Sequence, residues 1–430
     1  MALTGRAALL ALLAVVPVAL APGGTVLVLL AVLLLVAVLV DIALAGPVSS
    51  LEFARDGDVS CRLGSTAQVR LSLVNRGSRR VRGLVRDAWV PSAGAVQGVQ
   101  ALDVPAGERR VHTTVLVPTR RGDRTPDRVT IRSVGPLGIA ARQGRHEVPW
   151  RLRVQPPFAS RRFLPERLAR LRTLDGQVAA RVRGQGTEFD ALRDYVEGDD
   201  VRSIDWRATA RRTETVVRTW RPERDRQVLL VLDTGRTSAG RVGDAPRLDA
   251  SLDAALLLAA LASRAGDRVD LLAIDRDVRA AVEGASAAEL LGRISDVTAG
   301  LEPSLVETNG RRMVSEVLRR CRRRTLVVLL TSLDTAPVEQ GLLPFLGLVV
   351  RRHTVLLAAV ADPRVAELAS ARGSVEDVYA AAAAEQALAE RRRLTALLRR
   401  RGVEVVDAPP ASLAPALADA YLALKAAGRL

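Results

Sequence analysis

The chain has 430 residues, with 63 Lys+Arg against 47 Asp+Glu and a formal net charge of +16. Hydrophobic residues make up 48 % of it, so the chain can bury a sizeable core and global disorder is excluded. Two distant cysteines, Cys61 and Cys321, exclude a disulfide framework and a Cys-rich zinc module. The positive charge indicates an anionic partner, either a membrane surface or nucleic acid. Only 3 % of residues are aromatic, which is poor for base stacking, so nucleic acid is unlikely.

Two uncharged runs predict a transmembrane helical hairpin over residues 1–48. The runs cover about 7–21 and 25–45, with Asp41 tolerated near the end of the second. Each approaches the ~20 apolar residues that cross a hydrocarbon core. The Pro-Gly-Gly sequence at 22–24 predicts the turn between them.

The flanks of this segment predict its topology. Arg6 precedes the first run and arginine-rich sequence follows the second, so the positive-inside rule places both ends in the cytoplasm. We therefore expect a multi-pass protein of the inner or plasma membrane whose other domains are cytoplasmic. A signal peptide cleaved after the A-x-A pattern at 19–21 is the alternative.

Residues 50–155 predict a β-sandwich domain of immunoglobulin-like type. Polar and apolar residues alternate at 69–74, 81–90, 110–117 and 129–134, and Gly, Pro and Asp separate these runs. Short alternating strands at such spacing are typical of an antiparallel sandwich.

A charged connector is predicted over 156–226. Leu164, Leu168 and Leu171 recur at helical spacing among arginines, which indicates an amphipathic helix with a solvated basic face. This interpretation is favoured over a nucleic-acid patch, since no helix-turn-helix, zinc-finger or RNP-like pattern accompanies the arginines.

The densest motif of the chain lies at 184–212. It resembles the signature of the bacterial domain of unknown function family 58, usually G-x-E-F-x-x-L-R-x-Y-x-x-G-D-D-x-R-x-I-D-W-x-x-x-A-R. The segment 133–142 (SVGPLGIAAR) is similar to the family's D-P-F-G-L-x-x-R turn, and the resemblance extends over nearly the whole chain. The matching residues that we assign to the family motif or to partner docking are Glu188, Phe189, Arg193, Tyr195, Gly198, Asp199, Asp200, Arg202, Asp205, Trp206 and Arg211.

Opposite charges interleave in this motif, which indicates a cross-linked network or a recognition surface. The adjacent Asp199 and Asp200 are also able to hold a cation or to act as an acid/base pair. A metal-dependent hydrolase using Asp199, Asp200, Asp205 or Asp233 is therefore an alternative. No histidine or attendant base lies nearby, so we assign no catalytic residue and expect a protein that is not an enzyme.

From residue 227 to 430, apolar strands alternate with helices, and this pattern predicts a doubly wound α/β domain with a parallel sheet. The first strand ends at Asp233, and ligands in such sheets bind at the carboxyl ends of strands. No G-x-G-x-x-G or Walker A pattern opens a helix, so nucleotide binding is unsupported.

The residues that follow this strand resemble the D-x-S-x-S start of the metal-ion-dependent adhesion site in von Willebrand factor A domains. The resemblance implies a Mg²⁺ site formed by Asp233, Thr237, Thr308 and Asp334, since hard oxygen ligands suit Mg²⁺. Gly235 replaces the first serine and has no side-chain oxygen, so the predicted site is degenerate. Mg²⁺ is the cofactor that this resemblance implies.

The family resemblance implies a function as well. Its members have an N-terminal hairpin and an integrin-like domain and are typically linked with MoxR-type AAA+ ATPases. We therefore expect a membrane-anchored, protein-binding adaptor that works with such an ATPase in chaperone-like assembly or maturation of client proteins. A basic membrane protein that binds nucleic acid or anionic lipid is the second alternative, after the hydrolase.

Overall fold

The computed structural model describes residues 2–20, 24–181, 188–197, 199–211, 214–221 and 226–430, with the backbone alone at 175–181, 188–191 and 219–221. The chain divides into two units, residues 1–155 and 156–430, which are described separately below.

The first unit begins with two apolar helices, α1 (Gly5–Leu20) and α2 (Gly24–Leu44). At 1.5 Å per residue, α2 is about 32 Å long and α1 about 24 Å, against about 30 Å of hydrocarbon. Among the described residues, α2 is the one helix that is long and apolar enough to cross a membrane. The predicted first span, at about 7–21, is thus a shorter apolar helix in the structure, because α1 has only 16 residues.

The end of α2 is held by the turn at residues 135–139. Asp41 is fully buried, and its carboxylate accepts hydrogen bonds from three backbone N–H groups, those of Leu137 (2.7 Å), Ile139 (2.9 Å) and Ala140 (2.8 Å). Thr4, just before α1, donates its backbone N–H to the Ile139 carbonyl oxygen at 3.0 Å. The start of α1 and the end of α2 therefore meet at one turn, as an antiparallel hairpin requires.

The rest of the first unit consists of three antiparallel or mixed sheets. The larger two have the strand orders β1-β11-β10-β5-β7 and β2-β4-β8-β6, and the third has the order β3-β12-β9. The strands are β1 (Ala2–Leu3), β2 (Leu51–Gly57), β3 (Ser60–Arg62), β4 (Ala67–Asn75), β5 (Val81–Trp89), β6 (Ala95–Val96), β7 (Val99–Val104), β8 (Arg109–Leu116), β9 (Gly122–Arg124), β10 (Pro126–Val134), β11 (Ala140–His146) and β12 (Leu152–Gln155).

Alternating side chains of the two larger sheets form the core between them. Leu71 and Leu73 of β4 pack with Val85 of β5 and Ile131 of β10, and all four are almost completely buried. The predicted β-sandwich is confirmed at this level, because alternate residues of β4, β5 and β10 are buried, as the period of two predicts.

The second unit opens with α3 (Leu164–Arg181) and a two-stranded antiparallel hairpin, β13 (Glu188–Asp194) and β14 (Val216–Arg221). The segment predicted as a connector thus contributes to this unit. Leu171 is buried in the core of the α/β domain, and Leu164 and Leu168 pack against it. The four-residue helix α4 (Trp206–Thr209) lies between the two hairpin strands in the sequence.

A six-stranded sheet with the order β19-β18-β15-β20-β21-β22 forms the centre of this unit. A separate two-stranded hairpin, β16–β17, follows β15 in the sequence. Five strands are parallel and β19 pairs antiparallel to β18 at one edge. The strands are β15 (Gln227–Asp233), β16 (Arg241–Val242), β17 (Ala245–Pro246), β18 (Arg268–Ile274), β19 (Val278–Val282), β20 (Thr325–Leu330), β21 (Thr354–Val360) and β22 (Val403–Ala408).

Helices cover both faces of the sheet, which confirms the predicted doubly wound α/β arrangement. Leu230 of β15 belongs to the core on one face, and its neighbour Leu229 belongs to the core on the other. The sequence pattern did not indicate the antiparallel edge strand β19. The helices are α5 (Arg247–Arg264), α6 (Leu290–Ala299), α7 (Gly310–Arg320), α8 (Leu343–Val350), α9 (Pro363–Ser370), α10 (Val375–Arg400) and α11 (Pro410–Ala426).

Candidate functional site

The carboxyl end of β15 places Asp233 at the edge of the sheet, where its side chain is 4 % exposed. One carboxylate oxygen, Oδ1, accepts hydrogen bonds from the Gly235 N–H at 2.8 Å and the Thr308 hydroxyl at 2.5 Å. The other, Oδ2, accepts from the hydroxyls of Thr331 at 2.6 Å and Thr237 at 3.5 Å. Both oxygens of a buried carboxylate are thus satisfied by neutral donors.

Gly235 is required by the close approach of the loop that carries Thr308. A Cβ atom at this position would overlap Thr308 Oγ1 and lie 2.9 Å from the Val306 carbonyl oxygen. The residue that removes one predicted metal ligand therefore also makes room for another.

A cavity of about 230 Å³ opens beside Asp233 at this edge of the sheet. Arg236 and Glu307 flank it and form an exposed ion pair with an N···O distance of 2.9 Å. One wall is apolar, formed by Met313 of α7 and by Val338 and other residues of the segment that leads into α8. The cavity thus combines an apolar wall with a buried carboxylate and a charged rim.

A second buried carboxylate, that of Asp275, directly follows the neighbouring strand β18. Asp275 Oδ2 accepts hydrogen bonds from the Ser304 hydroxyl at 2.6 Å and from Arg279 Nη1 at 2.8 Å. Burial raises the pKa of Asp275, but these hydrogen bonds and the Asp277 N–H outweigh it and hold the pKa below its usual value. Asp275 is therefore an ionised, locally neutralised group that organises the loop between α6 and α7.

That loop joins the two carboxylates. The Ser304 N–H donates to the Thr234 carbonyl oxygen at 2.8 Å, and the Arg236 N–H donates to the Val306 carbonyl oxygen at 2.8 Å. Its last residue, Asn309, caps α7 by accepting the Arg312 N–H at 2.9 Å. Thr308 is consequently held against Asp233 from both sides.

The donor set around Asp233 fits a hard cation in part. Asp233, Thr237, Thr308 and Thr331 present four side chains with oxygen ligands, which suit Mg²⁺, but only one is a carboxylate. Burial raises the pKa of Asp233 and the four hydrogen bonds oppose that rise without cancelling it. A cation would favour the ionised form, since an adjacent positive charge stabilises a carboxylate.

The structure brings three of the four predicted metal residues together and leaves out the fourth. Asp334 forms an ion pair with Arg247, with an N···O distance of 3.3 Å, and is not hydrogen-bonded to the Asp233 group. Thr331 takes part in that group and was missed by the sequence reasoning. Its signal was a hydroxyl residue directly after β20, the strand next to β15 in the sheet.

The charged residues of the central motif build the hairpin of β13 and β14. Arg193 donates to Asp199 at 2.5 Å, and Asp199 also accepts the Val196 N–H at 3.0 Å. Asp205 caps α4 through the Arg207 and Ala208 N–H groups and pairs with Arg218 at 2.7 Å. Hydrogen bonding from these partners lowers the pKa of Asp199 and Asp205.

Other motif residues remain at the surface. Trp206 is 68 % exposed, and Tyr195, Val196 and Val201 are exposed as well. The carboxylate of Asp200 accepts the Arg202 N–H at 3.0 Å, and Arg202 and Arg211 are exposed. Gly198 lies outside the described residues, as do the side chains of Glu188 and Phe189 in β13. The motif thus holds its acids in local contacts and exposes an aromatic, apolar and basic surface.

Comparison with known proteins supports the family resemblance. The family model described as protein of unknown function DUF58 matches residues 191–406, half of the chain. Uncharacterized proteins of Mycobacterium tuberculosis and Mycobacterium bovis are each 28 % identical over 230 residues, covering 50 % of this chain and 72 % of the relative. The CARDB domain of a Pyrococcus furiosus protein matches at 16 % identity, covering 24 % of this chain and 86 % of that one, with a TM-score of 0.17. That structural likeness is too slight to inform the function.

Proposed function

This chain belongs to the family described as protein of unknown function DUF58, and on that premise we propose that it is a membrane-anchored, protein-binding adaptor. The observation that carries the proposal is the cavity beside Asp233, at the edge of the sheet where α/β domains bind their ligands. The carboxylate is surrounded by the hydroxyl groups of Thr237, Thr308 and Thr331, which are able to hold a ligand through their oxygen atoms. Such a site is suited to binding a partner.

We propose that the α/β domain is of von Willebrand factor A type with a degenerate adhesion site. Asp233, Thr237 and Thr308, together with Thr331, would hold Mg²⁺, with water in place of the ligand that Gly235 lacks. When bound, Mg²⁺ would supply a positive charge, and an acidic side chain of a client protein would bind to it. Because a single carboxylate serves the ion, we expect its affinity to be lower than that of a site with two.

The proposed anchor is the hairpin of α1 and α2. The meeting of both helices at the turn that holds Asp41 supports two antiparallel passes, although α1 alone is short for a span. Arg6 and the arginines after α2 would then lie on the cytoplasmic side by the positive-inside rule.

The energy source of the proposed adaptor is a MoxR-type AAA+ ATPase, as the family resemblance implies. The docking surface is the exposed part of the central motif, namely Tyr195, Val196, Val201 and Trp206. Exposed tryptophan and tyrosine side chains contribute strongly to protein interfaces, and the neighbouring Arg202 and Arg207 would favour an acidic partner.

Co-purification tests the ATPase partnership. The full chain is solubilised in detergent and incubated with a MoxR-type ATPase, with and without Mg²⁺ and ATP. We expect the ATPase to be retained, and Trp206→Ala to reduce retention at least about tenfold, a typical loss for an aromatic interface anchor. Tyr379→Ala is the matched control, since Tyr379 is 76 % exposed on α10, outside the motif. Failure to retain the ATPase under every condition would contradict the proposed partnership.

Titration calorimetry of the same protein tests the cation site. We expect weak, saturable Mg²⁺ binding that Asp233→Asn abolishes and that Asp244→Asn, at an exposed turn, leaves unchanged. Equal Mg²⁺ binding by wild type and Asp233→Asn would refute the assignment of the ion to this cavity.

A further inference from the structure

The edge of the α/β sheet opposite the Asp233 cavity gathers three arginine clusters that are far apart in the sequence. Arginines precede β20 at 322–324, β21 at 351–352 and β22 at 399–401. These three strands are parallel neighbours, so their amino ends share one edge of the sheet. Adjacent strands lie about 4.8 Å apart, which places the amino ends of the three strands, just after the three clusters, within roughly 10 Å of each other along that edge.

Six of these arginines have exposed side chains that make no ion pair or side-chain hydrogen bond with the described residues. We call them the arginine edge: Arg322, Arg324, Arg351, Arg352, Arg400 and Arg401. The acidic residues of this region are already engaged by other arginines, Glu316 with Arg319 and Arg320, and Glu404 with Arg429. None of the six arginines of the arginine edge thus has an ion-pair partner among the described residues.

Helix stabilisation accounts for only part of this pattern. Cations are favourable within the last turn of a helix, and Arg400 is the last residue of α10. The effect falls off beyond that turn, whereas Arg322 and Arg324 lie past the end of α7 and Arg352 lies past α8. The described contacts thus assign no structural role to most residues of the arginine edge.

An apolar cavity lies within the arginine edge. It has a volume of about 190 Å³ and is formed by Leu343, Leu346, Gly347 and Val350 of α8, with Arg351 and Arg401 beside them. Leu348, on the same helix, is 53 % exposed. Positive charge next to exposed apolar surface is the combination by which protein surfaces bind an anionic lipid bilayer.

We propose that the arginine edge binds the anionic phospholipid headgroups of a membrane, with Leu348 and the α8 cavity at the boundary with the acyl chains. The proposal rests on the membrane anchoring proposed above, because a chain held by α2 has a bilayer within reach. None of the described residues that line the α8 cavity is aromatic, which disfavours base stacking and hence single-stranded nucleic acid.

A vesicle-binding assay on the full chain tests this proposal. The protein is reconstituted in nanodiscs of neutral phosphatidylcholine and mixed with vesicles of phosphatidylcholine, with or without phosphatidylglycerol. We expect binding to the anionic vesicles alone, and weaker binding at high salt because exposed charges are screened. Each arginine near an anionic surface contributes about fivefold in binding. The quadruple variant R322Q/R324Q/R351Q/R401Q should therefore bind up to about 600-fold more weakly.

The matched control is R172Q/R276Q/R293Q/R364Q, which removes four exposed arginines elsewhere in the same unit and leaves the same net charge. It should bind the anionic vesicles within about threefold of wild type, since a Debye length of about 10 Å confines exposed charges to local effects. Equal losses of binding affinity in the two quadruple variants, or equal binding to neutral and anionic vesicles, would overturn the proposal.

A second variant separates lipid from other polyanions. Leu348→Ser should weaken vesicle binding several-fold, because burying a leucine side chain in the bilayer contributes to affinity. Duplex DNA that displaces the vesicles, binds more tightly and is unaffected by Leu348→Ser would identify a nucleic-acid surface instead and overturn the lipid assignment. Alkaline extraction of cell membranes tests the anchor independently, and retention of the ATPase tests the adaptor, so each failure is distinguishable.

Discussion

Replacing Gly235 by alanine tests whether the Asp233 site is held by the close approach of the Thr308 loop. The backbone dihedral φ of Gly235 is −79°, which any residue adopts, so the effect of a methyl group is steric. The new Cβ would overlap Thr308 Oγ1 and press on the Val306 carbonyl oxygen at 2.9 Å. Thr308 must then move and lose its hydrogen bond to Asp233.

The expected cost follows from these two contacts. Overpacking a tight site costs about 1–3 kcal/mol. Losing a hydrogen bond to the buried Asp233 carboxyl group costs about 1–3 kcal/mol more. We expect the free energy of unfolding to fall by roughly 3–5 kcal/mol. At about 2–4 °C per kcal/mol for a unit of this size, the Tm should fall by about 10 °C.

The single lysine of the chain provides an assay for this unit alone. Lys425 is buried on α11 beside Asp267, so an amine-reactive reagent reaches it only when the second unit opens. Thermal unfolding is followed by the extent of Lys425 labelling, mapped by mass spectrometry. Gly292→Ala is the matched control, since Gly292 lies exposed in α6 with open space around it. It should stabilise the unit by about 0.5–1 kcal/mol.

A double-mutant cycle makes the test specific to Thr308. In a Thr308→Ala background the overlapping Oγ1 is absent, so Gly235→Ala should cost at least about 1 kcal/mol less than in wild type. Equal costs in the two backgrounds, or a Gly235→Ala protein as stable as wild type, would refute the steric account of the loop.

Three further variants test other buried carboxylates. Asp41→Asn should loosen the junction between α2 and the sandwich, raising amide hydrogen exchange at Leu137, Ile139 and Ala140 about 10- to 100-fold, while unchanged exchange would contradict the proposed clamp. Lys425→Met leaves Asp267 buried with the Tyr421 hydroxyl but without its cation, and should cost about 3–5 kcal/mol by denaturant unfolding; a loss below 1 kcal/mol would argue against the pair. Because the pKa of Asp275 is lowered in the fold, its stabilising effect is present above about pH 4 and is lost as pH falls through its folded pKa. Asp275→Asn should therefore destabilise the protein at pH 7 and flatten its acid-unfolding profile, and a profile as steep as that of wild type would contradict this role.

The sequence indicated which residues of the candidate site lie together where those residues follow one strand. Asp233 and Thr237 lie in the loop directly after β15, and an apolar strand ending in Asp is visible in the sequence alone. Thr331 was missed and Asp334 was misplaced, because both follow β20 and only the folded loop decides which side chain faces Asp233. The carboxylate of Asp334 instead forms an ion pair with Arg247, which lies 87 positions earlier in the chain.

The sequence by itself determined the features that local composition and periodicity encode. These are the apolar helix α2, the alternating strands of the sandwich, the buried parallel strands of the α/β domain and the family motif, because each depends on neighbours within one element. The tertiary structure alone decided the rest. Asp41 is buried by a turn about 100 residues away, Asp205 of the motif pairs with Arg218 of β14, and three arginine clusters precede neighbouring strands at one edge of the sheet. These contacts and juxtapositions join residues that are far apart in the sequence. They depend on the order of the strands and the path of the chain, which local sequence does not encode.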